Sequence, residues 1–196
     1  MSVYRLREQV VASGRNAVLL VPQGPKDAPH SGDGKLELDE DGFLRFMTEV
    51  ATWLHDNGNV PSARTGRIVL SAHSGGYGGA GGVLQRGGRN DAITDVLLFD
   101  AAYWYFAAFS DWGESVAATP PLERVHRRHE HRQHRLDGHG ASAGTKLYVR
   151  LADTMTVVQL QTRAPTFVLT TRVAHDDLLQ KYDWYRLFLQ ATGFQT

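Results

Sequence analysis

The sequence predicts an α/β fold: a mostly parallel sheet of about five strands with helices on both faces, within a single domain over residues 1–196. Three observations lead there. Short β-branched apolar runs alternate with longer amphipathic stretches, the pattern of parallel strands joined by crossover helices. Polar residues with chemical potential fall just after those runs, where open α/β sheets collect their sites. The 196 residues contain no internal repeat or linker, and that length suits one substantial core.

Val3, Leu6, Val10 and Val11 recur at helical spacing until Ser13-Gly14 stops the pattern. Ala17–Val21 (A-V-L-L-V) predicts a short buried strand closed by Pro22-Gln23-Gly24-Pro25, and Lys26–Gly42, polar and rich in Gly and Asp, predicts a long loop. Phe43, Phe46, Met47, Val50, Trp53 and Leu54 mark one face of a helix ending at Asn57-Gly58. Arg67–Ser71 predicts the second strand, Gly78–Arg86 the helix after it, and Ile93–Phe99 the third strand. Lys146–Leu151 and Thr166–Thr171 supply two more strands, and Asp177–Ala191 an amphipathic final helix. Asp153–Arg163 is β-branched yet placed where a crossover helix is expected, and both readings stay open.

Composition excludes several functions. Lys plus Arg equals Asp plus Glu at 21 each, so no global field favours nucleic acid or an anionic membrane. The absence of cysteine removes disulfides, thiolate metal sites and a cysteine nucleophile. The opening M-S-V-Y-R-L-R-E-Q-V lacks the apolar core of a signal peptide, and no run reaches membrane-spanning length. A cytoplasmic protein without a membrane span is expected; a secreted protein stripped of its leader would look the same.

The segment I-V-L-S-A-H-S-G-G-Y-G-G-A-G-G, Ile68–Gly82, carries the strongest signal. A β-branched run stops at Ala72-His73-Ser74-Gly75-Gly76, and small residues then open a helix. This is the layout of a strained strand-to-helix turn that lifts a serine hydroxyl clear of a sheet. Such a turn needs small flanks, here Ala72 and Gly76. The same glycines allow a rival. Gly76, Gly78 and Gly81 satisfy G-x-G-x-x-G after a strand, and Asp100 ends the next strand, as in a Rossmann-type nucleotide-binding fold.

With that turn the chain resembles the α/β-hydrolase superfamily from about Val3 to Gly193, most specifically at Ala72–Gly76 and at His175. Ala72 departs from the superfamily's Gly-x-Ser-x-Gly by one methyl. The resemblance implies a three-layer sandwich and a serine hydrolase of carboxylic esters, with a small-molecule ester as substrate, no cofactor and no metal. It implies Ser74 as nucleophile, His175 (in T-T-R-V-A-H-D-D-L after the last strand) as base, and the Gly75 N–H as oxyanion donor. For the acid it allows Asp100 after the third strand or Asp153 after the fourth; four apolar residues before Asp100 place it at a defined point beside the serine strand, which favours it. His73 is read as packing beneath the turn, and Asp176 and Asp177 as caps of the final helix. Superfamily members normally have several strands before the nucleophile strand, one of them bearing a second oxyanion donor. Here Ala17–Val21 stands alone, so Gln23 is the expected second donor, and an uncovered sheet edge suggests pairing into a homo-oligomer.

Two features lie beside this scheme. Ala101–Phe106 is aromatic, either lining a substrate pocket or filling core. Residues 122–140 hold five of the nine histidines and five arginines. His126, Glu130 and His134 share helical spacing, but no H-E-x-x-H is present, and a solvated basic surface segment is the preferred reading over a metal site. A fold of the hydrolase type used only for binding is the remaining alternative.

Overall fold

The computed structural model describes residues 4–28, 30–117, 128–129, 146–148, 166–168, 174–181 and 183–195. Helix α1 (Leu6–Ser13) forms where its spacing predicts and ends at Gly14, whose φ of 67° turns the chain out of the helix. Helices α2 (Lys35–Leu38) and α3 (Gly42–Asp56) follow, then strand β1 (Ile68–His73), a 3₁₀ turn at Ser74–Gly76 and helix α4 (Tyr77–Arg86). Strand β2 (Ile93–Phe99) leads to helix α5 (Phe106–Ala117). Short strands β3 (Arg128–His129), β4 (Lys146–Tyr148) and β5 (Thr166–Val168) precede helices α6 (Asp177–Gln180) and α7 (Trp184–Gln190). The class is mixed α/β with parallel strand pairing. β1 and β2 pair in parallel, with one register shift between Ile68 and Val69, and the short strands continue outward from β2 in the order β3, β5, β4. Among the described residues no helix is long and apolar enough to cross a membrane.

β2 shows why its sequence is apolar without interruption. Val96 and Leu98 pack with Phe43 of α3, Val83 and Leu84 of α4, and Phe109 and Trp112 of α5. Leu97 and Phe99 point the other way, against Leu178, Leu179, Trp184, Phe188 and Leu189 of the two last helices. Side chains alternate across a strand, so burying both faces demands apolar residues at every position. Each of these large side chains contributes roughly 1.5–3 kcal/mol through burial.

Three expectations are corrected. Ala17–Val21 forms no strand: the stretch is irregular, with Val18 55% and Val21 46% exposed. It and β1 line a common cleft of about 1600 Å³, and β1 is left as the end of the strand order. A short apolar run specifies a strand only if a neighbour completes its hydrogen bonds. The expected loop at Lys26–Gly42 contains α2, which buries Glu37. The single final helix is two, because Asp183 between them takes φ 47°, a left-handed value that no α-helix continues. On α3 the apolar stripe outruns the core, and Trp53 is 60% exposed. Of the basic segment, Arg128–His129 pairs as a strand with Leu97–Leu98, and the rest of residues 122–140 lies outside the described residues.

The glycines of α4 are explained by close packing. At Gly82 a Cβ would run into the backbone of Glu37 on α2, and at Gly81 into the ring of Tyr105. Gly78 lies against the backbone of Gly32, where a Cβ would stand 3.1 Å from its Cα. Gly82→Ala should therefore destabilise the fold by about 1–3 kcal/mol through overpacking. Gly66→Ala, where nothing lies within 4 Å of the added methyl, should be near neutral. Urea denaturation of the two variants checks the contrast.

Candidate active site

The site is built by strand register. β1 and β2 pair with His73 opposite Phe99, so the next residue on each strand, Ser74 and Asp100, leaves the sheet at the same carboxyl edge. Both turn sharply there, Ser74 with φ 53° and Asp100 with φ 43°. Left-handed backbone at a non-glycine residue is sparsely populated, and such residues cluster at functional turns. The small flanks of the turn face each other: a Cβ on Gly76 would stand 3.3 Å from the Ala72 methyl, a tight contact.

His175 precedes α6 and reaches the same edge. Its Nδ1 lies 2.5 Å from Oδ2 of Asp100, with the Asp100 side chain 18% and the His175 side chain 36% exposed. A histidine held through Nδ1 by a carboxylate has its tautomer and ring plane fixed and presents Nε2 outward. The Ser74 hydroxyl makes no hydrogen bond to any of the described residues. Asp153 lies outside the described residues.

His73, on the strand below the turn, packs between two rings: Tyr4 edge-on at 5.2 Å and His175 at 4.5 Å between centroids. Its Nε2 lies 3.2 Å from the backbone oxygen of His175. Burial pushes its imidazole below the usual histidine pKa, outweighing the opposing pull of that carbonyl. Asp176 stands at the start of α6 but makes no side-chain cap; it accepts the Tyr4 hydroxyl at 3.3 Å. Asp177 is paired with Lys181 at 2.6 Å rather than capping. Both carboxylates have found other donors.

Gln23 leaves an irregular stretch and not a strand; it is exposed, and its Nε2 points 3.4 Å from the oxygen of Gly24. The contact that the sequence did not disclose is made by Ser31. Its backbone N–H and hydroxyl donate to the Gly75 oxygen at 2.9 and 3.1 Å, while its hydroxyl accepts from the Gly79 N–H at 3.0 Å. The only sequence signal was the small, polar run His30-Ser31-Gly32-Asp33-Gly34 inside what reads as a loop. A further network fixes that loop. Glu37 accepts the backbone N–H of Asp33 on one oxygen and the Tyr105 hydroxyl, at 2.6 Å, on the other. Tyr105 follows Asp100 closely and carries φ 60°, so Glu37 ties the 30–37 segment to the loop after β2. The aromatic run after Asp100 is divided: Ala101 is buried and Trp104 is 70% exposed.

Burial, and then the Glu37 carboxylate, pushes the Tyr105 hydroxyl up to about 12 from its ordinary 10.0. The folded state thus holds the phenolic proton more tightly than the unfolded chain. This stabilisation is complete below pH 10 and is lost as pH rises towards about 12. Tyr105→Phe should lower stability at neutral pH by about 1–3 kcal/mol, the range for a hydrogen bond to a charged group and for a buried acceptor left unpaired. It should also flatten the fall in stability above pH 10. Urea denaturation at pH 7 and across the alkaline range measures both. Compared with family models, curated proteins and solved structures, the chain finds no match.

Proposed function

We propose that this chain is a serine hydrolase that cleaves carboxylic esters of small molecules through an acyl-enzyme, on an α/β-hydrolase-like three-layer sandwich. The reading rests on one observation: a serine in left-handed backbone at the end of β1, next to an Asp100–His175 pair at the end of the adjacent parallel strand. Ser74 attacks the ester carbonyl while Nε2 of His175 takes its proton. Asp100 keeps the other ring proton on Nδ1 and offsets the positive charge that forms on the imidazole. The Gly75 N–H donates to the developing oxyanion, and Ser31 holds the peptide that follows. Collapse expels the alcohol, which takes the proton back from His175. Water, activated by the same histidine, then releases the acid and frees Ser74.

Packing weighs against the nucleotide-binding alternative. Gly78, the second glycine of the Gly76, Gly78, Gly81 pattern and the one where a pyrophosphate would need to approach backbone, is covered by the backbone of Gly32, which a Cβ there would meet at 3.1 Å. A hydrolase-like fold used for binding alone is the second reading, favoured by the unpartnered Ser74 hydroxyl among the described residues. Covalent labelling separates the two. A fluorophosphonate should modify Ser74, and Ser74→Ala should abolish both labelling and hydrolysis of p-nitrophenyl esters. A folded protein that ignores the reagent is the binding protein. Asp100→Asn should lower kcat on the order of 10⁴-fold, by the measure of other triads, with Asp153→Asn costing far less. The reverse ranking moves the acid to Asp153.

A further inference from the structure

Beside the Asp100–His175 pair lies a second constellation. One donor atom from each of His73, His175 and Asp176 lies within 4.8 Å of the others. Two imidazoles and a carboxylate are the donor types that zinc takes when it keeps a further position for water or substrate. In a tetrahedral site with bonds of about 2.0–2.2 Å the donors stand about 3.5 Å apart, so small side-chain rotations close this set around an ion.

Neighbours already orient the donors. Asp100 occupies Nδ1 of His175 at 2.5 Å and the His175 carbonyl stands 3.2 Å from Nε2 of His73, so a cation would take Nε2 of His175 and Nδ1 of His73. A carboxylate on the far nitrogen is the outer partner that characteristically stands behind a metal-bound histidine. Tyr4 donates its hydroxyl to Oδ1 of Asp176 at 3.3 Å, leaving the other oxygen of that carboxylate. The Tyr4 ring also packs edge-on to His73, so one residue steadies two of the three donors. Asp176 is exposed and both histidines are half-buried, which gives an ion a path from solvent.

We propose that His73, His175 and Asp176 bind a zinc-class divalent ion, with Asp100 and Tyr4 as the outer partners that position them. Bound metal takes the Nε2 lone pair of His175, the pair that proton transfer uses, so occupancy arrests hydrolysis. That consequence rests on the serine-hydrolase reading; the binding does not.

Cobalt(II) titration of the chelator-treated full chain, followed by visible absorption, tests the binding. The wild type should give the band of a four-coordinate site at one equivalent. His73→Ala and, independently, the exposed Asp176→Asn should each lose it, and Tyr4→Phe should weaken affinity about 10–100-fold. A wild type without the band, or a band of unchanged affinity in both His73→Ala and Asp176→Asn, overturns the site. The second result would place the metal elsewhere, the histidines of residues 122–140 included. In the activity arm, zinc should suppress ester hydrolysis, a chelator should restore it, and Asp176→Asn should need at least tenfold more zinc. Full hydrolysis at saturating zinc overturns the arrest. A wild type that shows the cobalt band but never hydrolyses an ester keeps the metal site and sinks the hydrolase reading instead.

Discussion

The parallel pairing of β1 with β2 is the constraint on which the site depends. With His73 opposite Phe99, both strands end at the same level, and Ser74 and Asp100 emerge side by side. A slip of one residue would turn each side chain to the opposite face, because alternation along a strand has a period of two. Leu97 and Phe99 would then exchange faces with Val96 and Leu98, and two apolar clusters would lose their matched partners. The core therefore enforces the register, and the register places the reactive groups. Left-handed backbone at Ser74 and Asp100 persists because the packing on either side holds it.

Around this edge the chain uses absent side chains as deliberately as present ones. The glycines of α4 let α2 and the 30–34 segment approach at backbone distance. Ser31 bridges the gap with hydrogen bonds to Gly75 and Gly79, and Glu37 links the same segment to Tyr105. A buried carboxylate would be costly alone; with two donors it becomes a tie between loops. The result is a turn braced by the 30–37 segment. The His175 side is braced through rings, Tyr4 on His73 on His175.

Legibility in the sequence followed the range of the interaction. The helix over Gly42–Asp56, the strands around Ile68–His73 and Ile93–Phe99 and the turn at Ser74 were all readable, because periodicity and small-residue flanks are local signals. The Asp100–His175 contact was reached only through a resemblance, since nothing local joins residues so far apart in the chain. Ala17–Val21 misled because an apolar run states a preference for burial, not which partner supplies its hydrogen bonds. Gln23 consequently leaves an irregular stretch, not a strand. Asp183 broke the last helix with no glycine or proline to announce it.

By itself the sequence determined the α/β class, the existence of a strained serine turn and the exclusion of cysteine chemistry, because composition, alternation and glycine spacing act within a few residues. Tertiary structure alone decided that Asp100 is the carboxylate on His175, that Ser31 braces the turn, and that His73 and Asp176 share a corner with the candidate base. The physical reason is that such contacts depend on register and on the relative placement of packed elements. Those are fixed by the balance of burial over the whole chain, and no short window of sequence contains that balance.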